Sequence, residues 1–139
     1  MEEVQYIGFG KRFVAYMVDV AIIFVFTMVM SIIISVLVGG LSDESRGNMI
    51  IGLYTVSFLV YGVLMDSSSK QGTWGKMLIK AKIINKDGER LSVLNAVGRY
   101  FSRILSGMIL CIGYFMIIFS KDKQGLHDKL AMTYVVKRA

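Results

Sequence analysis

One carboxylate, Asp19, lies within an apolar run from Phe13 to Val38 that holds no other residue charged at neutral pH. A run of about 26 residues can cross a bilayer, which needs roughly 20. A carboxylate inside it costs on the order of 2.5–3.5 kcal/mol on insertion scales, so it needs a partner or a task. The chemistry open to it is cation binding or the exchange of a proton. Three arginines could serve it. Arg12 lies seven residues earlier on the same helical face, about 10.5 Å away along the axis, too far for a direct bidentate pair. Arg99 and Arg103 stand four apart on one face of another helical segment. Docking that face on the Arg12/Asp19 face gives a buried cluster of Arg12, Asp19, Arg99 and Arg103. It reads either as an ion-pair network that locates the third segment or as an ion- or proton-handling site.

Other candidates carry less chemistry. Gly72-Thr73-Trp74-Gly75-Lys76 is superficially like a phosphate loop, but Gly72 is too close to Gly75 and Met77 follows the lysine. It reads as a tight turn at the membrane edge, with Trp74 in the interfacial belt. His127-Asp128 has no accompanying nucleophile for a triad, so no catalytic residue and no enzyme are expected. Asp128 is expected to cap, to accept from the backbone amides of the Gly72–Lys76 turn, or to pair with Lys76. Cys111 and His127 are the only residues of their types, which leaves no metal site and no disulfide to expect, and no cofactor motif is present. Tyr54 and Tyr61 share a helix face and read as core packing.

These residues need elements to hold them. The chain has 139 residues, 55% of them hydrophobic, with no proline. That is the composition of a small integral membrane protein of one domain, residues 1–139. The spans are expected at about 13–38 and 49–65, joined by the polar turn 39–48. The first run is too long for a signal-peptide core and is expected to be retained. Residues 67–91 form a polar loop containing a strand over Leu78–Ile84 and a turn at Asn85–Gly88. A helix begins after Ser92, a candidate N-cap. Its segment, about 93–120, is interrupted by Gly107 and Gly113. The tail 121–139 ends in a short strand over Thr133–Lys137.

Charge orders these pieces. The net charge is +6, and of 16 basic residues only Arg46 falls in the 39–48 turn. The other 15 lie on or towards one side if 93–120 enters the membrane and returns, as the positive-inside rule favours. Both termini are then cytoplasmic in a multi-pass protein. The segment 93–120 is a hairpin of half-length or re-entrant helices. Strand 78–84 can pair with 133–137 as a small cytoplasmic two-stranded β element. The basic residues flank hydrophobic runs and no aromatic–basic platform accompanies them, so the bilayer, not nucleic acid, is the expected partner.

The segments GKRFVAYMVDVAII, GTWGKMLIKAKIINKDGERLS, NAVGRYFSRIL and KQGLHDKLAMTYVV, in that order, resemble the RDD family of small bacterial membrane proteins. The resemblance covers nearly the whole chain. It implies that Arg12 is the family arginine, Asp19 the mid-helix aspartate, and Asp128 the second aspartate, with Asp66 a competitor. Gly72, Thr73, Gly75 and Lys76 match the family's Gly-x-Thr-x-Gly-Lys turn, in which Trp74 is larger than expected, and His127 belongs to the Leu-His-Asp segment. The resemblance implies a bacterial cell-membrane protein, with cation or proton transport by cation/proton exchange as one role. The alternative is a non-transporting accessory or regulatory protein that binds another membrane protein. Two spans and a hairpin barely enclose a pathway, so transport would call for a homo-oligomer.

Overall fold

The computed structural model describes residues 5–108 and 112–138. It is mostly helical, with a small two-stranded sheet. Helix α1 runs from Phe9 to Val38 and α2 from Asp43 to Ser67. At 1.5 Å per residue they are about 45 and 38 Å long, more than the roughly 30 Å hydrocarbon core of a bilayer. Both begin earlier than the apolar runs. Helix α1 takes in the polar Gly10–Arg12 turn. Helix α2 starts at the Ser42 N-cap, whose Oγ accepts from Ser45 N at 3.2 Å, with Asp43 and Glu44 in the first turn where the helix dipole favours them. The reversal between them uses Gly39 and Gly40, both at positive φ.

Most large side chains of both helices point outwards. Val36, Leu37 and Ile51 are each about two-thirds exposed or more. Helices this apolar and this exposed present the surface a bilayer requires and water does not. The buried residues of α1 recur at every fourth position: Ala15, Asp19, Ile23, Thr27 and Ser31. That stripe is the face turned into the protein.

Residues 74–91 differ from expectation at one point. Trp74–Leu78 is a short helix, α3, where a tight turn over Gly72–Lys76 and a strand from Leu78 were expected. Lys80 then turns the chain at φ 54°, and strand β1 spans Ala81–Asn85, three residues later than the apolar alternation suggested. Five residues are too few for helical periodicity to show in sequence. Strand β1 pairs antiparallel with β2, Thr133–Lys137, with Ile83 opposite Val135. The segment before α1 joins β2 from its other side: Ile7 N donates to Val135 O at 2.9 Å, and Lys137 N to Gln5 O at 2.8 Å. Ile7, Ala81, Ile83, Leu91 and Val135 form a small buried core there. The sheet therefore collects both ends of the chain.

Between the strands the chain leaves through α4, Val93–Met108, and comes back through α5, Ile112–Phe119, and α6, Leu126–Leu130. Ser92 Oγ accepts from Asn95 N at 3.2 Å at the start of α4. The α4–α5 junction at 109–111 lies outside the described residues, as does Cys111, and Gly113 falls within α5.

Candidate functional site

Three carboxylates, Asp19 on α1, Asp66 on α2 and Asp128 on α6, are buried. Each has its own set of partners. Asp128 is fully buried on α6, at the third position of the helix, where its Oδ2 accepts from Gly125 N at 3.1 Å and caps the first turn. Arg12 Nη1 donates to Oδ2, and Arg99 Nη2 to Oδ1 at 2.5 Å. Arg12 also reaches the carbonyls of Ile7, through Nε at 2.8 Å, and of Lys123, through Nη2. One arginine thus ties the chain entering α1 to the loop entering α6. Burial would push the Asp128 carboxyl up, but Arg99 and Arg12 outweigh it and hold the group well below the usual carboxylate range.

His127 is buried beside this pair, its Nε2 3.4 Å from Asp128 Oδ1. Burial pushes it down to about 3; Asp128 resists, and Arg103, Arg99 and Arg12 add to the push. It is neutral at physiological pH. Asp66, near the end of α2, takes Lys76 Nζ at 2.8 Å and Arg103 Nη2 at 3.8 Å. Burial pushes the Lys76 ammonium down to about 8, against the pull of Asp66, and Arg103 and Arg99 push the same way.

Asp19 has neutral partners. Tyr61 Oη donates to Oδ1 at 2.9 Å, Gly75 N donates to Oδ1 at 2.9 Å, and Thr73 Oγ1 donates to Oδ2 at 2.5 Å. Tyr61 Oη in turn accepts from Trp74 N at 2.9 Å. The two N-terminal amides of α3 are thereby satisfied from α1 and α2. Gly75 permits the approach. A Cβ there would lie 2.0 Å from Ala15 O and 3.0 Å from Asp19 Cγ.

The cluster expected from sequence is therefore reassigned. No arginine or lysine makes an ion pair with Asp19 among the described residues. Arg12 and Arg99 go to Asp128, and Arg103 goes to Asp66. The backbone of the Gly72–Lys76 turn, expected to serve Asp128, serves Asp19, and Lys76 serves Asp66. The cause is a competition settled by packing. Helix α3 seats its glycine directly on α1, which fills the space an arginine would need beside Asp19. Tyr61, read from sequence as packing, is part of the site; an aromatic hydroxyl late in an apolar span is the signal that could have found it. Gly72 N donates to Met65 O at 3.1 Å, and its neighbour Gln71 fastens the loop to β1, where Ile83 N donates to Gln71 O at 2.7 Å.

A cavity of about 500 Å³ lies between these groups. Arg12, Asp19, Tyr61, Thr73, Lys76, Arg99, Arg103 and His127 line its polar side, and the rest of its wall is largely apolar and aromatic. It falls within the roughly 300–1,000 Å³ of small-ligand sites.

Fold and site together define a small helical membrane protein whose long helices enclose a buried group of charges. The model of the RDD family matches residues 6–132, and the chain belongs to that family. It is similar to the uncharacterized protein YxaI of Bacillus subtilis (strain 168), 40% identical over 93% of this chain and 95% of the relative. It is also similar to the uncharacterized membrane protein YteJ of the same organism, 31% identical over 94% of this chain and 80% of that one. No solved structure matches it significantly.

Proposed function

We propose that this protein exchanges a cation for a proton across the cell membrane, with Asp19 as the exchanging carboxylate. One observation carries the reading. Asp66 and Asp128 are each neutralised by two basic side chains, whereas Asp19, about a third of the way along a membrane-length helix, has only neutral donors among the described residues. Its charge is left for a mobile ion. Thr73 suits both states, because a hydroxyl can donate to the carboxylate or accept from the carboxylic acid. Protonation of Asp19 Oδ2 reverses the sense of that bond without breaking it and discharges the bound cation. Deprotonation restores the site.

The surroundings favour a path. The cavity reaches Asp19 from one end of α1. On the other side the buried face continues through Thr27 and Ser31, whose hydroxyls lie about 12 and 18 Å further along the helix. We place the sheet and both termini in the cytoplasm, following the charge asymmetry, with 93–120 as a re-entrant hairpin whose ends both return to the sheet. Two crossing helices do not enclose a channel, so the transporting unit is a homo-oligomer. Catalysis is not part of this reading, since Asp128 is committed to Arg12 and Arg99.

The test is flux in proteoliposomes under an imposed pH gradient, with sodium and potassium offered separately. Wild type is expected to move one of them and Asp19→Asn to move neither. Equal flux in the two proteins would remove Asp19 from the pathway. No flux in wild type would leave the accessory role, with co-purification of a second membrane protein as its measurement.

A further inference from the structure

The charges around the cavity do not balance. Four cations, Arg12, Lys76, Arg99 and Arg103, stand against three carboxylates, Asp19, Asp66 and Asp128, and pair with only the last two, which leaves one positive charge in excess. The excess is concentrated on α4. Arg99 is 2% exposed, and only its Nη2 is used: Nε and Nη1 are buried without a hydrogen-bond partner among the described residues. A buried guanidinium donor left unpaired costs more than the bond it lacks. Arg103, one turn on, reaches Asp66 only at 3.8 Å. Both line the cavity. Two guanidiniums one turn apart, with donors unspent, are the arrangement that receives a phosphate or carboxylate.

The remainder of the cavity is hydrocarbon-like. Its wall includes Phe9, Phe58 and Tyr100, and its rim is formed in part by Phe13, Tyr16, Ile104 and Phe115, each about half exposed. Phe13 and Tyr16 sit on the first membrane-length helix. The opening therefore faces the bilayer, and what enters there is a molecule with a chain and a charged end.

We propose that the cavity holds an anionic membrane lipid, its headgroup phosphate on Arg99 and Arg103 and an acyl chain against the aromatic wall. The lipid supplies the missing negative charge and the missing acceptor. Zwitterionic lipids are disfavoured because they carry no net charge to offset the excess. Asp19 faces the same cavity from α1 and is held by its own three donors.

Purified full-length protein in detergent micelles doped with phosphatidylglycerol or phosphatidylcholine tests the assignment, by native mass spectrometry and by the melting midpoint. Phosphatidylglycerol is expected to be retained about tenfold more tightly or better, as one added charge-assisted hydrogen bond gives, and to raise the midpoint. Arg99→Lys keeps the charge but removes the two unspent donors, so it should weaken phosphatidylglycerol retention severalfold. Arg103→Gln, on a side chain that is 22% exposed, removes the excess charge and should reduce the preference itself. Equal retention of the two lipids by wild type would overturn the proposal, as would an undiminished preference in Arg103→Gln. Protection by millimolar inorganic phosphate equal to that by phosphatidylglycerol would make the ligand a soluble anion and end the lipid assignment.

Discussion

Asp19 and Asp128 are two aspartates that solve burial in opposite ways. Asp128 sits at the start of a five-residue helix, held by two arginines and one backbone amide. Asp19 sits in a thirty-residue helix, held by two hydroxyls and one backbone amide. The first arrangement joins three separate parts of the chain, because Arg12 and Arg99 come from α1 and α4 and neither can be satisfied without the tail. It is a lock. The second leaves the carboxylate's net charge in place and asks only for orientation. A charge that is oriented but not cancelled can be given to a mobile partner, and this difference separates the structural pair from the group proposed to exchange.

The largest effect expected is at the lock. Asp128→Ala leaves Arg12 and Arg99 facing each other in a buried space with no anion between them. Stripping one partner from a buried pair typically costs about 3–5 kcal/mol. The melting midpoint of the detergent-solubilised protein should fall accordingly, and the tail should become open to protease. If Asp128→Ala melts within a degree or two of wild type, the contrast between the two aspartates has no energetic basis.

Gly75→Ala attacks the other arrangement through its backbone. The added methyl meets Ala15 O, so α3 must lift from α1 and withdraw both its amide and Thr73 from Asp19. Overpacking of this kind costs about 1–3 kcal/mol. The comparison sharpens if transport is lost together with this modest destabilisation, and weakens if Gly75→Ala is as stable as wild type.

Asp19→Asn should be milder still in stability, about 1–2 kcal/mol, because it leaves neutral donors and no stranded cation. Under the proposed exchange its main effect is expected on flux. A loss as large as that of Asp128→Ala would show that Asp19 also locks the fold.

Much of this was legible in the residues. The apolar runs mark α1 and α2, the charge asymmetry groups the two ends of the chain, and the alternation at 79–83 anticipates a strand pairing with 133–137. The site was legible as a set of residues and not as a set of pairs. Arg12 and Asp19 share a helix face, and nothing in one-dimensional spacing says that a loop sixty residues away will seat a glycine between them. The Gly72–Lys76 turn is recognisable, but which carboxylate its amides meet depends on how α3 docks. Tyr61 was hidden because a tyrosine in an apolar run has a sufficient explanation in packing. The α3 helix was hidden because one and a half turns leave no periodic trace.

The smallest effect lies beside the lock and is read through pH. In the folded protein His127 is pushed down to about 3, against 6.5 for the ordinary group, chiefly by burial. As pH falls below about 6.5 the unfolded chain takes up a proton on His127 and the folded chain does not, so the unfolded state binds more protons and stability declines. The stabilising contribution is fully present above 6.5 and is lost progressively as pH approaches 3. Asp128, also depressed, adds to the decline only once the unfolded carboxyl protonates, near its ordinary value of 3.8. The melting midpoint of wild type should therefore drop across pH 6.5 to 4, before any carboxylate contributes much. His127→Gln should flatten that interval and leave the steeper fall below about pH 4, where the Arg12–Asp128–Arg99 arrangement loses its anion. An unchanged slope in the variant between pH 6.5 and 4 would assign the acid sensitivity to another group and separate His127 from the lock.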